Sequence, residues 1–461
     1  MPRTDRLTAL TQALARGPAA ARELMRTLEV SQPVLSRALS ALRQQGRVVR
    51  LGTTRGARYA LARGVNGIGA RWPLYRIDEN GRPIEIGLLH ALERDHFYLP
   101  QGPARLRGLS EGLPYFLQDA RPAGFLGRAV PHQFPELALP PRIADWSDDH
   151  LLVYLVQCAA ENLGDLVLGE RSIERYLGGA PRSAIIDPRQ RASRYPACAA
   201  EAMAGNPAGS SAHGEQPKFL ARLDEGDRST HVLVKFSPPR SSDAGQRWAD
   251  LLVCEHLAHE LLSSAAFPAC RSRLFDFEER TYLEVERFDR LGADGRRGVA
   301  SLYAIDAARY GKLDRWSECA RRLAAERLLS AEDAERIALL EAFAMLIGNT
   351  DRHFGNVTLF DRYEGPFELA PAYDMLPMLY APQHEQITGR TYVPPTPTAA
   401  LLRVWPAARA LAERYWMRLA AEARLSASFR EICARSLEAL RAAGGVGGRP
   451  IDAARSVTYF T

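Results

Sequence analysis

Leucines recur at helical spacing near the start of the chain: Leu7, Leu10 and Leu14, then Leu24, Met25 and Leu28 beyond a break at Pro18, then Leu35, Leu39 and Leu42. Each set makes one apolar stripe, so a short helix is predicted for each. Ser31 stands as the N-cap of the third helix with Pro33 close behind it, and Gly46 ends it. Its other face presents Gln32, Ser36, Arg37, Ser40 and Arg43. From Arg47 to Leu61 the pattern becomes that of a hairpin turned near Thr54 to Gly56 and studded with Arg50, Arg55 and Arg58. Helices followed by a basic hairpin predict a winged helix-turn-helix over residues 1–66, its third helix entering the major groove of duplex DNA and its wing meeting phosphate. A winged helix can also serve protein contacts. Arginines on both the third helix and the wing favour nucleic acid, with Gln32, Ser36, Arg37, Ser40, Arg50, Arg55 and Arg58 as the contacts.

From Trp72 the texture changes to a β-hairpin, Tyr75-Arg-Ile-Asp and Pro83-Ile-Glu-Ile-Gly-Leu-Leu around a turn at Glu79-Asn80-Gly81. An apolar helix over His150 to Leu163 follows, and residues 67–180 carry no chemistry beyond support. Residues 187–215 are rich in small and polar types and read as a mobile loop. Lys218 then opens a strand, Asp224 to Thr230 turns, and His231-Val-Leu-Val-Lys-Phe makes a second strand containing Lys235. A helix from Ala244 to Leu262 carries Asp250 and Glu255, either of which could pair with Lys235. Another strand from Arg280 runs into a polar turn. The remainder is mainly helical: Ser330 and Asp333 cap a helix with the stripe Ile337, Leu340, Ala344 and Ile347, and residues 401–443 are helical again. The fold class expected is α+β, a two-lobed protein-kinase-like fold with a largely helical C-lobe after the winged helix. Its N-lobe would span residues 181–290 and its C-lobe residues 291–461.

Composition narrows the function classes. At 461 residues the chain suggests several domains. No apolar run is long enough to span a bilayer, Met-Pro-Arg-Thr-Asp opens no signal peptide, and the cysteines lack any C-x-x-C pair. These features predict a reduced, cytoplasmic protein without a membrane partner. A net charge of +6 permits an anionic partner. Only three lysines occur, Lys218, Lys235 and Lys312, against 57 arginines. A lysine retained in such a chain points to a need that arginine cannot meet, such as a compact ammonium on a phosphate.

The chemistry concentrates between Gly348 and Asp374. Asp351 and Asn356 lie on a loop, and a hairpin of Val357 to Phe360 with Phe367 to Ala370 should fold Asp374 back beside Asn356. An amide and a carboxylate suit magnesium, and a further carboxylate could orient a hydroxyl. Protein kinases divide the work in this way, with a catalytic Asp, a metal-binding Asn five positions on and a later Asp. The spacing of Asp351 and Asn356 fits that division, with Asp374 as the later carboxylate. An isolated D-x-x-x-x-N is more often an Asx-rich turn. The paired strands with Lys218 and Lys235, and a hinge at Glu286, Arg287 and Phe288 able to hold adenine, lift it above that reading.

Together these pieces resemble the HipA family of bacterial serine/threonine kinase toxins, in the YjjJ-type branch with a fused helix-turn-helix. Ser211-Ala-His-Gly-Glu-Gln-Pro-Lys218 is similar to its phosphate-binding loop, Val285-Glu-Arg-Phe-Asp-Arg290 to its hinge, and Asn349-Thr-Asp-Arg-His-Phe-Gly-Asn356 to its catalytic loop. The resemblance implies ATP and Mg2+ as cofactors, with Ser211, Gly214, Gln216, Lys218 and His353 beside the nucleotide and Lys235 on its α- and β-phosphates. It implies Asp351 as the base or hydroxyl-orienting group, Asn356 and Asp374 as magnesium ligands, and Ser211 as an autophosphorylated serine that silences the kinase. It also implies a protein substrate such as an aminoacyl-tRNA synthetase or other translation factor, and a HipB-like antitoxin as partner. The chain departs from the family in carrying its own winged helix. Two other functions fit the residues: a DNA-binding regulator with a nucleotide-sensing or inactive kinase-like domain, and a metal-dependent nuclease acting on bound DNA.

Overall fold

The computed structural model describes residues 3–53, 56–159, 161–179, 184–205, 216–226, 228–383 and 386–444. Arg55, Ser211 and Gly214 lie outside the described residues. The chain forms two compact units, one of Met1–Arg121 and Pro131–Arg182, the other of Pro122–Val130 and Ser183–Thr461.

The first unit begins with α1 (Arg3–Leu14), β1 (Ala19–Ala20), α2 (Ala21–Leu28), α3 (Gln32–Gln44), β2 (Val48–Leu51) and β3 (Arg58–Leu61). The leucine stripes form its core: Leu10, Leu14, Leu24, Leu35, Leu39 and Leu42 are buried together with Val48 and Leu61. Ser31 occupies the N-cap of α3 without a side-chain cap bond, and Pro33 supplies a preset helical φ at the first turn. Gly46 ends the helix at a φ of 70°, with the Arg47 amide reaching back to the Leu42 carbonyl at 2.9 Å. The wing pairs β2 with β3 as expected, and β1 adds a strand that the sequence pattern does not announce.

The chain continues with β4 (Arg71–Ile77), β5 (Pro83–Leu92), β6 (His96–Leu99), β7 (Gly108–Glu111), α4 (Tyr115–Gln118), α5 (Gly124–Gln133), α6 (Asp148–Gln157), β8 (Leu166–Leu168) and α7 (Glu170–Leu177), all of the first unit except α5, most of which is counted with the second. The antiparallel sheet of the first unit runs β7-β6-β5-β4-β8. The predicted turn is fixed by the Asp78 carboxylate, which accepts from the Asn80 and Arg82 amides at 2.8 Å each. The helix expected over His150 to Leu163 starts at Asp148 under a Ser147 cap and stops at Gln157. Gly164, with a φ of 78°, lies in the turn that leads to β8 instead. Leu51 and Ala60 of the wing pack on Leu92, and Arg63 grips Asp149 through both carboxylate oxygens at 2.8 and 2.7 Å. The winged helix and the sheet therefore share a core.

The second unit opens with β9 (Ala184–Ile186), α8 (Arg191–Ala204), β10 (Lys218–Asp224), β11 (Ser229–Phe236), α9 (Asp243–Ser264), β12 (Ser272–Phe277) and β13 (Arg280–Glu286). The sheet order is β12-β13-β11-β10-β9. The mobile loop expected over 187–215 is corrected here, because its first half is the helix α8. Tyr195 anchors that helix from the core, and Arg191 holds the buried Glu284 of β13 at 2.6 and 3.1 Å. The Tyr195 hydroxyl donates to the same carboxylate.

Beyond the sheet come β14 (Arg290–Leu291), β15 (Gly295–Arg296), β16 (Val299–Ser301), α10 (Leu302–Arg309), α11 (Trp316–Ala325), α12 (Ala331–Leu346), β17 (Thr358–Phe360), β18 (Glu368–Leu369), α13 (Trp405–Ala421) and α14 (Ala427–Gly444). Ser330 caps α12, accepting from the Asp333 amide at 2.9 Å, and the stripe Ile337, Leu340, Ala344 and Ile347 is buried. The helical stretch expected over 401–443 is two helices. Between them Asp250 accepts from the amide and hydroxyl of Ser426 at 2.8 and 2.7 Å. All six cysteines are buried and free, and among the described residues no helix is long and apolar enough to cross a membrane.

Candidate active site

The antiparallel register of β10 and β11 sets Lys218 directly opposite Lys235. Side chains of such a pair leave the sheet on the same face, so the two ammonium groups address the same side. Lys235 is buried, and its Nζ sits 2.7 Å from both carboxylate oxygens of Glu255 on α9. Glu255 is thus the partner that the sequence left open between two acids. Asp250, the other candidate, is spent on Ser426. Lys235 also donates to Asp374.

Asp374 reaches this lysine because the backbone before it is stitched to the start of β12: the Ala372 amide donates to the Pro268 carbonyl at 2.8 Å, and the Cys270 amide to the Ala372 carbonyl at 3.0 Å. Its own backbone takes a φ of 55°, a left-handed conformation that a non-glycine residue adopts only when its surroundings enforce it. The Asp374 amide points to Glu255, and its carbonyl accepts from Asn349 Nδ2 at 3.0 Å. Burial raises the Asp374 carboxyl, but Lys235 and then Lys218 outweigh burial and hold it at about 2. The same carboxylates keep the Lys235 ammonium charged against burial.

Asn349 ties this centre to the loop of Asp351 and Asn356. Its Oδ1 accepts from the Asp351 amide at 2.9 Å, while Asn356 Nδ2 donates to the Asp351 carbonyl at 2.7 Å. His353 caps the turn through Nδ1 to the Gly355 amide at 3.1 Å, and its carbonyl is held by Trp316 Nε1 at 3.2 Å. The Tyr373 hydroxyl donates to the Gly355 carbonyl at 2.6 Å, which brings the residue before Asp374 against the residue before Asn356. The expected juxtaposition of Asn356 and Asp374 thus has a structural basis in their neighbours. The Asp351 carboxylate is exposed and makes no hydrogen bond or ion pair among the described residues. A loop held by hydrogen bonds at Asn349, Asp351, His353, Gly355 and Asn356 presents that carboxylate to solvent.

Asn356 and Asp374 offer an amide oxygen and a carboxylate, hard donors that suit magnesium. With Asn356 Nδ2 committed to the Asp351 carbonyl, its Oδ1 is the atom left for a ligand. Gln216 Nε2 is buried and finds no acceptor among the described residues, as a donor kept for an anion would be. At the hinge, the Glu286 and Arg287 amides already donate to the Arg271 and His231 carbonyls at 2.9 Å each. An adenine edge would therefore have to use the carbonyls of the stretch or the Phe288 amide. The Phe288 ring packs on Tyr373 and Phe360. Lys312, the third lysine, lies exposed after α10.

On the winged helix, Gln32, Ser36, Arg37 and Ser40 are exposed along α3. Arg50 is exposed and folds its guanidinium onto the Thr53 carbonyl at 3.0 Å, while Arg58 donates to the Pro18 carbonyl. Sequence reasoning missed Asn349 as the link between that loop and Asp374, and the histidines that back Glu255. An Asn two positions before Asp351, just past the apolar stripe of α12, was the available signal for the first.

Three family profiles match the chain: a YjjJ-like toxin middle domain over residues 68–177, a HipA-like C-terminal domain over residues 210–443, and the bacterial regulatory proteins of the arsR family over residues 8–48. The chain is also 34% identical over 444 residues to "Toxin YjjJ" of Escherichia coli (strain K12), spanning 94% of this chain and 98% of that protein. The chain belongs to the YjjJ-like branch of the HipA-like toxins. Among solved structures, the HipA of Shewanella oneidensis MR-1, in a complex with HipB and operator DNA, superposes with a TM-score of 0.52 at 14% identity, covering 80% of this chain and 96% of that one. That likeness shows the fold. This YjjJ-like chain therefore joins an N-terminal helix-turn-helix to a HipA-like, kinase-like domain. The Lys235, Glu255 and Asp374 cluster and the loop of Asp351 and Asn356 all lie within the stretch matched by the HipA-like profile.

Proposed function

We propose that this chain is an ATP- and magnesium-dependent protein serine/threonine kinase of toxin type that also binds duplex DNA through its winged helix. The observation that carries the reading is the buried Lys235, gripped by Glu255 at 2.7 Å and joined through Asp374 and Asn349 to the loop that presents Asp351. Lys235 and Lys218 are placed to bind phosphate oxygens, and Glu255 fixes where the Lys235 ammonium sits. Asp351 orients the acceptor hydroxyl and takes its proton as the phosphoryl group transfers. Asn356 and Asp374 would hold magnesium, which neutralises phosphate charge when bound. Ser211, shortly before Gln216 and Lys218, would carry a silencing phosphate into the place of the nucleotide phosphates. The acceptor would be a translation factor such as an aminoacyl-tRNA synthetase, in the cytoplasm, with a HipB-like antitoxin as a further partner.

Transfer of label from γ-labelled ATP tests the reading. Asp351→Asn should lower autophosphorylation by a factor on the order of a hundred or more with the fold intact, since it removes the base without changing shape. Undiminished labelling would remove this loop from the chemistry. No labelling of the unsubstituted chain with ATP still bound would favour the nucleotide-sensing regulator. Mass spectrometry locates the site: phosphate on Ser193 but never on Ser211 would refute the switch.

A further inference from the structure

Behind the Lys235 grip, α9 carries a line of polar groups that the chemistry above does not use. His256 and His259 each place Nδ1 3.0 Å from the Ser272 hydroxyl at the start of β12. At the outer end, His256 Nε2 lies 3.3 Å from the half-exposed Glu260, which in turn pairs with Arg418 of α13. At the inner end, His259 is 1% exposed, and its Nε2 stands 3.8 Å from Glu255 Oε1, the oxygen that Lys235 holds at 2.7 Å. That Nε2 has no hydrogen-bond partner among the described residues. The line thus runs from solvent to the ion pair of the site through groups within hydrogen-bond reach, up to one open gap.

The chemistry of the groups fixes where the hydrogens go. A carboxylate only accepts, so Glu260 selects the Nε2–H form of His256. Neutral His256 then has a bare Nδ1, which takes the single Ser272 O–H. The Ser272 oxygen must in turn accept Nδ1–H from His259, and His259 is left with a lone pair on Nε2, facing a carboxylate. Two acceptors do not bond, which accounts for the 3.8 Å gap and the unpartnered nitrogen. Taking up one proton from solvent reverses the line. His256 then carries both N–H groups and donates Nδ1–H to Ser272, Ser272 donates to His259 Nδ1, and the His259 hydrogen sits on Nε2, aimed at Glu255. Atom by atom, the Ser272 hydrogen passes to His256 Nδ1, the His259 Nδ1 hydrogen passes to Ser272, and the proton taken up is the one that ends on His259 Nε2; no covalent bond between heavy atoms changes.

We propose that His256, Ser272 and His259 form a proton-linked positioning relay: its neutral state leaves both Glu255 oxygens to Lys235, and its protonated state draws Oε1 toward His259 and loosens the lysine. Its effect on nucleotide rests on the kinase reading given above. The groups that face the relay act as it requires. Burial lowers the His256 pKa, Glu260 and Glu422 raise it, and Arg424 and Arg418 lower it, so the change falls on the acid side of an ordinary histidine. Burial and Lys235 hold His259 at about 3, with Asp374 opposing, so His256 is the group that takes the charge.

The test uses the full chain with isotope-labelled histidine, followed by nuclear magnetic resonance from about pH 8 to about pH 5, a range that spans histidine titration. The expected result is that His259 moves from the Nδ1–H to the Nε2–H tautomer at the pH where His256 charges. Ser272→Ala should leave the His256 titration and silence the His259 response; His256→Gln, which cannot charge, should also freeze His259. Binding of magnesium-ATP supplies the second readout. Between about pH 8 and about pH 5 the unsubstituted chain should lose about three- to tenfold more affinity than Ser272→Ala, the worth of one hydrogen bond, while titration of ATP itself cancels between the two proteins. A His259 tautomer that ignores His256, or parallel affinity profiles for the two proteins, overturns the relay. Absence of ATP binding at any pH sinks the kinase reading instead, and the tautomer measurement then decides the relay alone.

Discussion

A lysine buried between two carboxylates keeps its charge because both neighbours offset the cost of removing it from water, and the same arrangement makes it intolerant of change. Lys235→Arg keeps the charge but replaces a compact ammonium with a planar fork, so it should weaken ATP binding at least severalfold in calorimetry. Equal affinity would mean that the scarcity of lysine in this chain reflects base composition alone. Lys235→Met leaves Glu255 buried without its cation and should cost about 3–5 kcal/mol in urea unfolding. His259 adds a pH dependence whose sign follows from its depressed pKa. Folded, it stays neutral down to about 3, whereas in the unfolded chain it charges below the ordinary value of 6.5. The unfolded state therefore binds the extra proton between those values, so the contribution of His259 is full above 6.5 and is lost as pH falls toward 3, by at most about 1.4 kcal/mol per pH unit. His259→Gln should flatten that part of the stability profile, and an unchanged slope in the variant would show that other groups set it.

At the scale of elements, α8 is held by its polar anchors as much as by its apolar face. Pro196 inside the helix removes one backbone hydrogen bond, and most of its other residues are small. Arg191 and Tyr195 compensate by converging on Glu284, with the Arg191 guanidinium also over the Phe275 ring at 5.1 Å. Glu284→Ala strands a buried guanidinium and should destabilise by about 3–5 kcal/mol, whereas Arg191→Met combined with Glu284→Leu should recover most of the loss. Hydrogen exchange along residues 191–204 is the local readout. If the single substitution leaves exchange there unchanged, the clamp does not hold the helix. This helix was illegible in the sequence for a physical reason: its few large residues make no stripe, and its stabilising partner sits on a strand far along the chain.

For the whole molecule, the shared core of wing and middle sheet decides what can stand alone. Leu51 and Ala60 lean on Leu92 and Tyr98, and Arg63 on Asp149, so a fragment of residues 1–182 should fold and bind duplex DNA more stably than residues 1–66. Fluorescence anisotropy over a salt series should give a steep slope for the longer fragment. Arg37→Ala and Arg50→Ala should each lower that slope by about 0.9 if each contacts one phosphate. No slope change in either variant would make α3 and the wing a protein-contact surface.

By itself the sequence determined the local elements whose cause is local. The leucine stripes of the first helices, the turn at Asp78, the caps at Ser330 and Gly46, and the strands carrying Lys218 and Lys235 all follow from spacing, capping chemistry and the freedom of glycine. It also set the loop of Asp351 and Asn356 and the later Asp374, because their order along the chain survives folding. Only the tertiary structure decided between Asp250 and Glu255, since both lie on one helix and the choice depends on which face α9 turns to β11 and which to Ser426. Only it paired Lys218 with Lys235 in register, tied Asn349 to Asp374, and set two histidines on one serine. Each of these contacts joins groups brought together by packing, and local periodicity holds no record of a partner that arrives from elsewhere in the chain.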